Sequence, residues 1–123
     1  MSYEEALKTI SLVANGDQSG NQYKFVKEGA SGMALNTTSG GQCTGVLQNK
    51  PTSGQVGAVA VDGVSKVIAG AAVAKGADVM SNATGLAITA TGTGAYIQGE
   101  ALEAATAANQ IIAVLLKKSG QMN

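Results

Sequence analysis

Gln55-Val56-Gly57-Ala58-Val59-Ala60-Val61, then Asp62-Gly63, then Val64-Ser65-Lys66-Val67-Ile68-Ala69 is the stretch whose reading decides the fold. Its Val and Ile side chains branch at Cβ, which stiffens χ1 and suits a pleated, half-buried strand better than a helix. With a side-chain period of two, Val56, Ala58 and Ala60 share one face, and Gly57, Val59 and Val61 share the other. Asp-Gly between two apolar runs predicts a β-hairpin with a type I′ turn. Both central residues of that turn need positive φ, which Asp and especially Gly tolerate.

The same grammar extends along the chain. Its 17 glycines are spaced at short intervals beside Ser, Thr and Asn, with short runs of Val, Ile and Ala between them. That pattern predicts many short strands joined by tight turns. Residues 77–80 and 86–90 flank the five-residue turn Ser81-Asn82-Ala83-Thr84-Gly85. Thr91-Gly92-Thr93-Gly94 then leads into a strand at 96–102, and 103–109 links it to a last strand at 110–117. Read in order, these look like a meander. Segments 23–28, 33–36 and 42–47 complete about eight to ten strands, as in a small sandwich or barrel. Residues 100–108 contain strong helix formers but no clear apolar stripe, so they read as a strand end plus a turn. Ser2-x-x-Glu5 has the spacing of a helix capping box, but Thr9, Ile10 and Val13 favour a strand at 6–14. The expected organisation is a flexible arm at 1–5 and a single all-β domain, barrel or sandwich, at 6–123. No long tandem repeat is legible.

Composition narrows the function. The chain has 123 residues, 45% of them hydrophobic but only 3% aromatic, with no Trp. A domain of this length buries roughly two-thirds of the surface its unfolded chain exposes. An Ala- and Val-rich core gains little area per residue, which points to an oligomer or a docking partner supplying further burial. Eight Lys and eight acidic residues balance to zero, and there is no Arg. Binding to nucleic acid needs phosphate neutralisation and commonly Arg, so it is not expected. The longest apolar runs, such as 111–116, fall far short of the ~20 residues that span a bilayer. The acidic start lacks the apolar stretch of a signal peptide. No membrane or secretory role is expected.

Chemistry is equally scarce. Without His, the usual general base at neutral pH is missing, and Ser-His-Asp or Cys-His constellations cannot be built. Cys43 is the single cysteine, which excludes an intramolecular disulfide and Cys-cluster metal sites; it reads as a small buried hydrophobe. Asp17, Ser19, Asn21 and Glu28 match four positions of a calcium loop. Gln22, however, stands where that loop requires Gly, so a solvated turn is the reading. No catalytic residue, metal or cofactor is expected. In 111–116, Ile112, Val114 and Leu116 occupy one strand face and Ile111, Ala113 and Leu115 the other. A strand apolar on both sides is either central between layers or half-used at an interface.

Several segments in order resemble a known family. Tyr23-Lys24-Phe25-Val26-Lys27 is followed by Gly45-Val46-Leu47-Gln48-Asn49-Lys50-Pro51 and then by Val59-Ala60-Val61-Asp62-Gly63-Val64. Gly70-Ala71-Ala72-Val73-Ala74-Lys75-Gly76-Ala77-Asp78-Val79 comes next. Gly99-Glu100-Ala101-Leu102-Glu103-Ala104-Ala105 and the apolar strand 111–116 close the series. This order, over about residues 7–117, resembles the capsid cement or head-decoration proteins of tailed bacteriophages.

The resemblance implies a compact β-tulip-like or small-barrel domain that binds the outer face of the expanded shell as a trimer and bridges neighbouring major capsid proteins. It also implies an N-terminal arm that orders on docking. Candidate contacts to shell or neighbouring subunits are then Tyr3, Glu4, Glu5 and Leu7 at the arm. Gln48, Asn49 and Lys50 in the polar loop, and Ile111 and Leu115 on the last strand, join them. The alternatives are a phage surface module for host carbohydrate, a tail or fibre subunit, and an enzyme built on a carboxylate pair.

Overall fold

Nine strands form in a computed structural model that describes residues 3–122: β1 (Glu5–Val13), β2 (Phe25–Gly29), β3 (Gly32–Leu35), β4 (Gly45–Leu47), β5 (Val56–Ile68), β6 (Asp78–Ser81), β7 (Ala87–Thr89), β8 (Tyr96–Ala101) and β9 (Ile111–Gln121). The all-β expectation holds, and the described residues contain no helix. They form one curled sheet, a half-barrel, in the order β3-β2-β4-β5-β9-β8-β6-β7, with β1 on the remaining edge of β5. The Ser2 capping box falls partly outside the described residues, and Glu5 already belongs to a strand.

The Asp62-Gly63 hairpin does not form. Strand β5 runs straight through it from Val56 to Ile68. A hairpin requires its two arms to pair with each other, and here they find different partners. Residues 56–64 pair with β1, Val59 and Ala60 also with β4, and 63–68 with β9. Val59 pairs with both Ile10 and Leu47, and Val64 with both Glu5 and Leu115, so β4 and β9 share one edge of β5 while β1 holds the other. Gly63 does use its conformational freedom, at φ 93, but in a bulge. The β1 register shifts here, and a Cβ on Gly63 would strike the backbone carbonyl of Ala6. Asp62 is exposed and accepts a bond from the Gly63 amide at 2.9 Å. The dipeptide's positive-φ signal was sound, but a bulge uses that signal as well as a turn does.

The meander is corrected in the same way. Strands β6 and β7 pair around the turn after Ser81, as expected, but β8 joins β6 rather than β7. Gly92 and Gly94, both at positive φ, let the connection carry the chain across the end of the hairpin to the other edge of β6.

These pairings contain a tandem duplication that the sequence did not disclose. Val13↔Val56 and Thr9↔Ala60 in the β1–β5 ladder become Ile68↔Ile111 and Val64↔Leu115 in the β5–β9 ladder, every residue moved by 55 positions. The hairpin β2–β3 corresponds to β6–β7 and β4 to β8, at offsets of 53 or 54: Val26↔Gly45 becomes Val79↔Gly99, and Val26↔Leu35 becomes Val79↔Thr89. The isolated bridge Ala14↔Met33 becomes Ala69↔Ala87. Gly45 and Gly99 are tight for the same reason. A Cβ on Gly45 would press on Ala60 O and Val59 Cγ1, and one on Gly99 would press on Leu115 O and Val114 Cγ1. Strand β5 thus serves twice, closing the first unit and opening the second.

The cores correspond too. Ala14, Val26, Met33, Leu47 and Val59 pack together in the first unit. Their counterparts Ala69, Val79, Ala87, Ala101 and Val114 belong to the larger core of the second. Two large residues, Met33 and Leu47, have become alanines, and the volume returns elsewhere. At Gly57 the missing side chain leaves room taken by Met33 Cε, Leu47 Cδ1 and Pro51. Its counterpart is Ile112, buried with Ala87, Ala101 and Ala105. Total volume is kept while its bearer changes, the kind of exchange that close-packed cores tolerate.

The Met33 methyl and a side chain at position 57 therefore compete for one space. Gly57→Ala is expected to cost about 1–3 kcal/mol from overpacking, and Met33→Ala about 2–5 kcal/mol from the cavity it leaves. The double variant should be more stable than the sum implies, by roughly 0.5–3 kcal/mol of coupling. Urea unfolding of the four proteins checks this, and strict additivity would show that the two positions do not share space.

Candidate docking surfaces

Sorting the candidate residues by what their side chains already do separates two groups. Leu7 lies in β1 half-buried against the main core. The Gln48 side chain is used inside the molecule: its amide donates to Val46 O at 3.0 Å and to Ser65 Oγ at 2.9 Å. Its backbone carbonyl accepts from Gln22 Nε2 at 2.9 Å. Ser65 is fully buried, and its hydroxyl accepts from Gln48 while donating to Lys66 O at 2.9 Å, so the buried group is satisfied on both counts. Leu115 is half-buried. Tyr3, Glu4, Glu5, Asn49, Lys50 and Ile111 are exposed. Asn49 is partly committed, because its Oδ1 accepts the Ala58 amide at 3.1 Å and tethers the loop to β5.

Glu5 starts β1 and pairs with Val64, and Tyr3 and Glu4 precede the strand. The expected arm at 1–5 is described only from Tyr3, since Met1 and Ser2 lie outside the described residues. On β9, Ile112, Val114 and Leu116 are buried; on the opposite face Ala113 is also fully buried, Leu115 is half-buried and Ile111 is 44% exposed. Exposed aliphatics also occur where the sequence indicated ordinary strand. Val13 is 52% and Val56 56% exposed, and the two sit directly opposite each other in the β1–β5 ladder. Nothing local marks them, because exposure at that end of β5 depends on where the distant β1 pairs.

The surface offers little for chemistry. A shallow groove of about 520 Å³ between residues 38–41 and 91–96 is lined by Thr, Ser, Gly, Ala, Met80 and Tyr96, without a charged group. Lys117 and Glu100 form an ion pair at 3.1 Å, exposed and so of small energetic weight. Lys66 lies 5.9 Å from the Tyr23 ring centroid, within cation–π reach. The two units are clasped where β3 leaves the sheet. Asn36, itself buried, donates to Ser81 Oγ at 2.8 Å, and Gly40 N–H donates to Ser81 O at 2.8 Å.

The decisive observation comes from comparison with known families. A family model described as phage cement protein matches residues 8–116. The chain belongs to the phage cement protein family. It is thus a structural protein of a bacteriophage and a component of the virion. Among solved structures, the chain resembles the base of a head fibre, reported as "head fiber gp8.5 N base in bacteriophage phi29". The TM-score is 0.68 at 15% identity, over 95% of this chain and 98% of that one. At that identity the likeness concerns the fold. None of the curated proteins compared with the chain matches it.

Cys43 of this cement protein is buried, and its thiol donates to Gly41 O at 3.5 Å. Burial pushes its pKa up to about 11; a hydrogen bond with Ser81 and the charges of Lys118 and Lys27 pull it back only in part. The thiolate, the reactive form, is therefore suppressed in the folded protein. A thiol reagent at pH 8 should label Cys43 only after denaturation; rapid native labelling, followed by mass spectrometry, would contradict its burial. Because the folded pKa is raised, this group's contribution to stability is complete below about pH 9 and is lost as the pH climbs toward 11.

Proposed function

We propose that this protein is a non-enzymatic cement subunit that binds the exterior of the expanded phage head. It bridges neighbouring major capsid proteins, as a homotrimer, and so stabilises the shell. The observation that carries the reading is the family match over residues 8–116. The physical character of the chain fits it. One continuous sheet, with β5 flanked by β1 on one edge and by β4 and β9 on the other, gives a stiff body, and balanced, sparse charge leaves docking to shape and apolar burial. Tyr3, Glu4 and Glu5 at the start of β1, Asn49 and Lys50 in the loop before Pro51, and Ile111 on β9 are the exposed contact candidates. Leu7, Gln48 and Leu115 support them from within.

The likeness to a head-fibre base favours one secondary reading, in which the domain is the platform of a fibre mounted on the head. The two readings share the head surface and differ in whether a further chain stands on this one.

The test is co-sedimentation of the purified protein with undecorated expanded heads and with unexpanded procapsids. Saturable binding to expanded heads alone is expected, and no binding to either by folded protein would refute the cement role. In the same assay Lys50→Glu should weaken binding, and unchanged occupancy would remove that loop from the interface.

A further inference from the structure

Asn15-Gly16 is the single place in the chain where Gly follows Asn. Both residues are exposed, in the bend just after β1. The backbone on the near side is held. The Asn15 amide donates to Met33 O at 2.8 Å, and Asn15 O accepts from Gln18 Nε2 at 2.9 Å. Beyond that point the constraints stop. Among the described residues, neither the Asn15 side chain nor the Gly16 N–H has a hydrogen-bond partner. Gly16 stands at φ 79 with open space where a Cβ would point.

The other described asparagines differ on one count or the other. The side-chain amides of Asn21, Asn36 and Asn49 donate to Gln18 Oε1, Ser81 Oγ and Val56 O. Asn82 Oδ1 accepts the Thr84 and Leu86 amides. Asn109 makes no side-chain bond among the described residues, but it is followed by Gln110, whose side chain crowds its own backbone nitrogen. The second unit has lost the pair altogether. Gly70 there donates to Ala87 O at 2.7 Å, as Asn15 does to Met33 O, and Ala71 follows it.

An unhindered Gly amide beside an unbonded Asn side chain is a reactive pair. The Gly16 nitrogen, once its proton passes to hydroxide, attacks Asn15 Cγ. The new N–Cγ bond closes a succinimide ring, the Cγ–Nδ2 bond breaks, and Nδ2 takes a proton from water and leaves as ammonia. A water molecule then opens the ring. Cleavage at Cγ gives an ordinary aspartate. Cleavage at the Asn15 main-chain carbonyl gives isoaspartate, with the chain now running through Cγ. Each conversion consumes one water and releases one ammonia, with no oxidation.

We propose that Asn15 is a self-modification site, which converts through Gly16 to aspartate and isoaspartate in the folded protein. Asn15 and Lys27 line one groove of about 360 Å³, so the new carboxylate arises on the same groove as an exposed ammonium. Eight acidic residues become nine against eight Lys, and the subunit turns net negative. Isoaspartate also adds a main-chain methylene just past the Asn15–Met33 bond that ties the end of β1 to β3. A virion component is not replaced once its particle is built, so converted copies accumulate with age.

The test incubates the folded full chain at pH 7 and at pH 8. Native anion exchange resolves the more acidic species, and tandem mass spectrometry of the tryptic peptide 9–24, which holds Asn15 and Asn21, locates the change. Conversion at Asn15 is expected to outpace that at every other asparagine. It should be faster at pH 8, because the attacking nitrogen must lose a proton. Gly16→Ala should slow it roughly tenfold, since a Cβ crowds that nitrogen and opposes positive φ. Asn15→Gln removes no bond made by the native side chain and should abolish the acidic species, which keeps the proposal testable if Gly16→Ala does not fold. Particles stored for increasing times should carry a rising converted fraction. Conversion at Asn15 no faster than at Asn21, conversion only after denaturation, or an acidic species that persists in Asn15→Gln would overturn the proposal. A rate indifferent to Gly16→Ala, or a fraction on particles that stays fixed with storage, would do the same.

Discussion

Strand β5 is the constraint on which the remaining structure depends. At thirteen residues it is longer than the other described strands, and its two edges hold β1, β4 and β9. Where it is paired on both edges, at Val59, Ala60 and Val64, its backbone donors and acceptors are satisfied within the sheet, so polar main chain can be buried without penalty. The arrangement also aligns the two halves of the molecule. Strands β1 and β4 of the first unit pair with the first part of β5, while in the second unit β9 pairs with the rest of β5 and β8 pairs with β9. The bulge at Gly63 absorbs the shift of β1 where the two roles of the strand meet.

From that shared strand the duplication acquires a physical rationale. An isolated unit would leave one long strand with an open edge, and open edges invite uncontrolled pairing. In two units that share a strand, β5 has partners on both edges, β1 on one and β4 with β9 on the other, and the clasp between Asn36 and Ser81 ties the units together. The halves kept backbone register more faithfully than side-chain identity. Backbone hydrogen bonds fix where a chain must run, whereas a core asks only that its total volume be filled. Hence both units have glycine at Gly45 and Gly99, pressed against a neighbouring backbone carbonyl that cannot yield, while the places of Met33 and Leu47 are held by Ala87 and Ala101 and that of Gly57 by Ile112.

A weakly charged body built on one continuous sheet suits a structural role in a virion. The buried polar groups are arranged for the same purpose. Gln48, Ser65, Asn36 and Ser81 use their hydrogen bonds to hold loops against the sheet.

Much of the strand content was legible in the residues: β-branched runs punctuated by Gly located most of the elements, and the absence of His and Arg narrowed the chemistry. The family could be read from ordered short motifs. The Asp62-Gly63 pair shows where local reading ends, for positive φ at Gly serves a hairpin and a bulge alike, and only the partners of the flanking residues distinguish them. The meander failed for the same reason, since a turn fixes the direction of the next strand but not which edge receives it. Even the repeat left traces, with Gln55-Val56-Gly57-Ala58-Val59 against Gln110-Ile111-Ile112-Ala113-Val114, too few to stand out among the other Ala- and Val-rich runs. Sequence by itself determined the all-β class, because side-chain branching and turn chemistry act within a few residues. Tertiary structure decided the pairing order, the shared strand, the duplication and which aliphatics face solvent, because those depend on contacts between residues some 50 positions apart, where no local preference reaches.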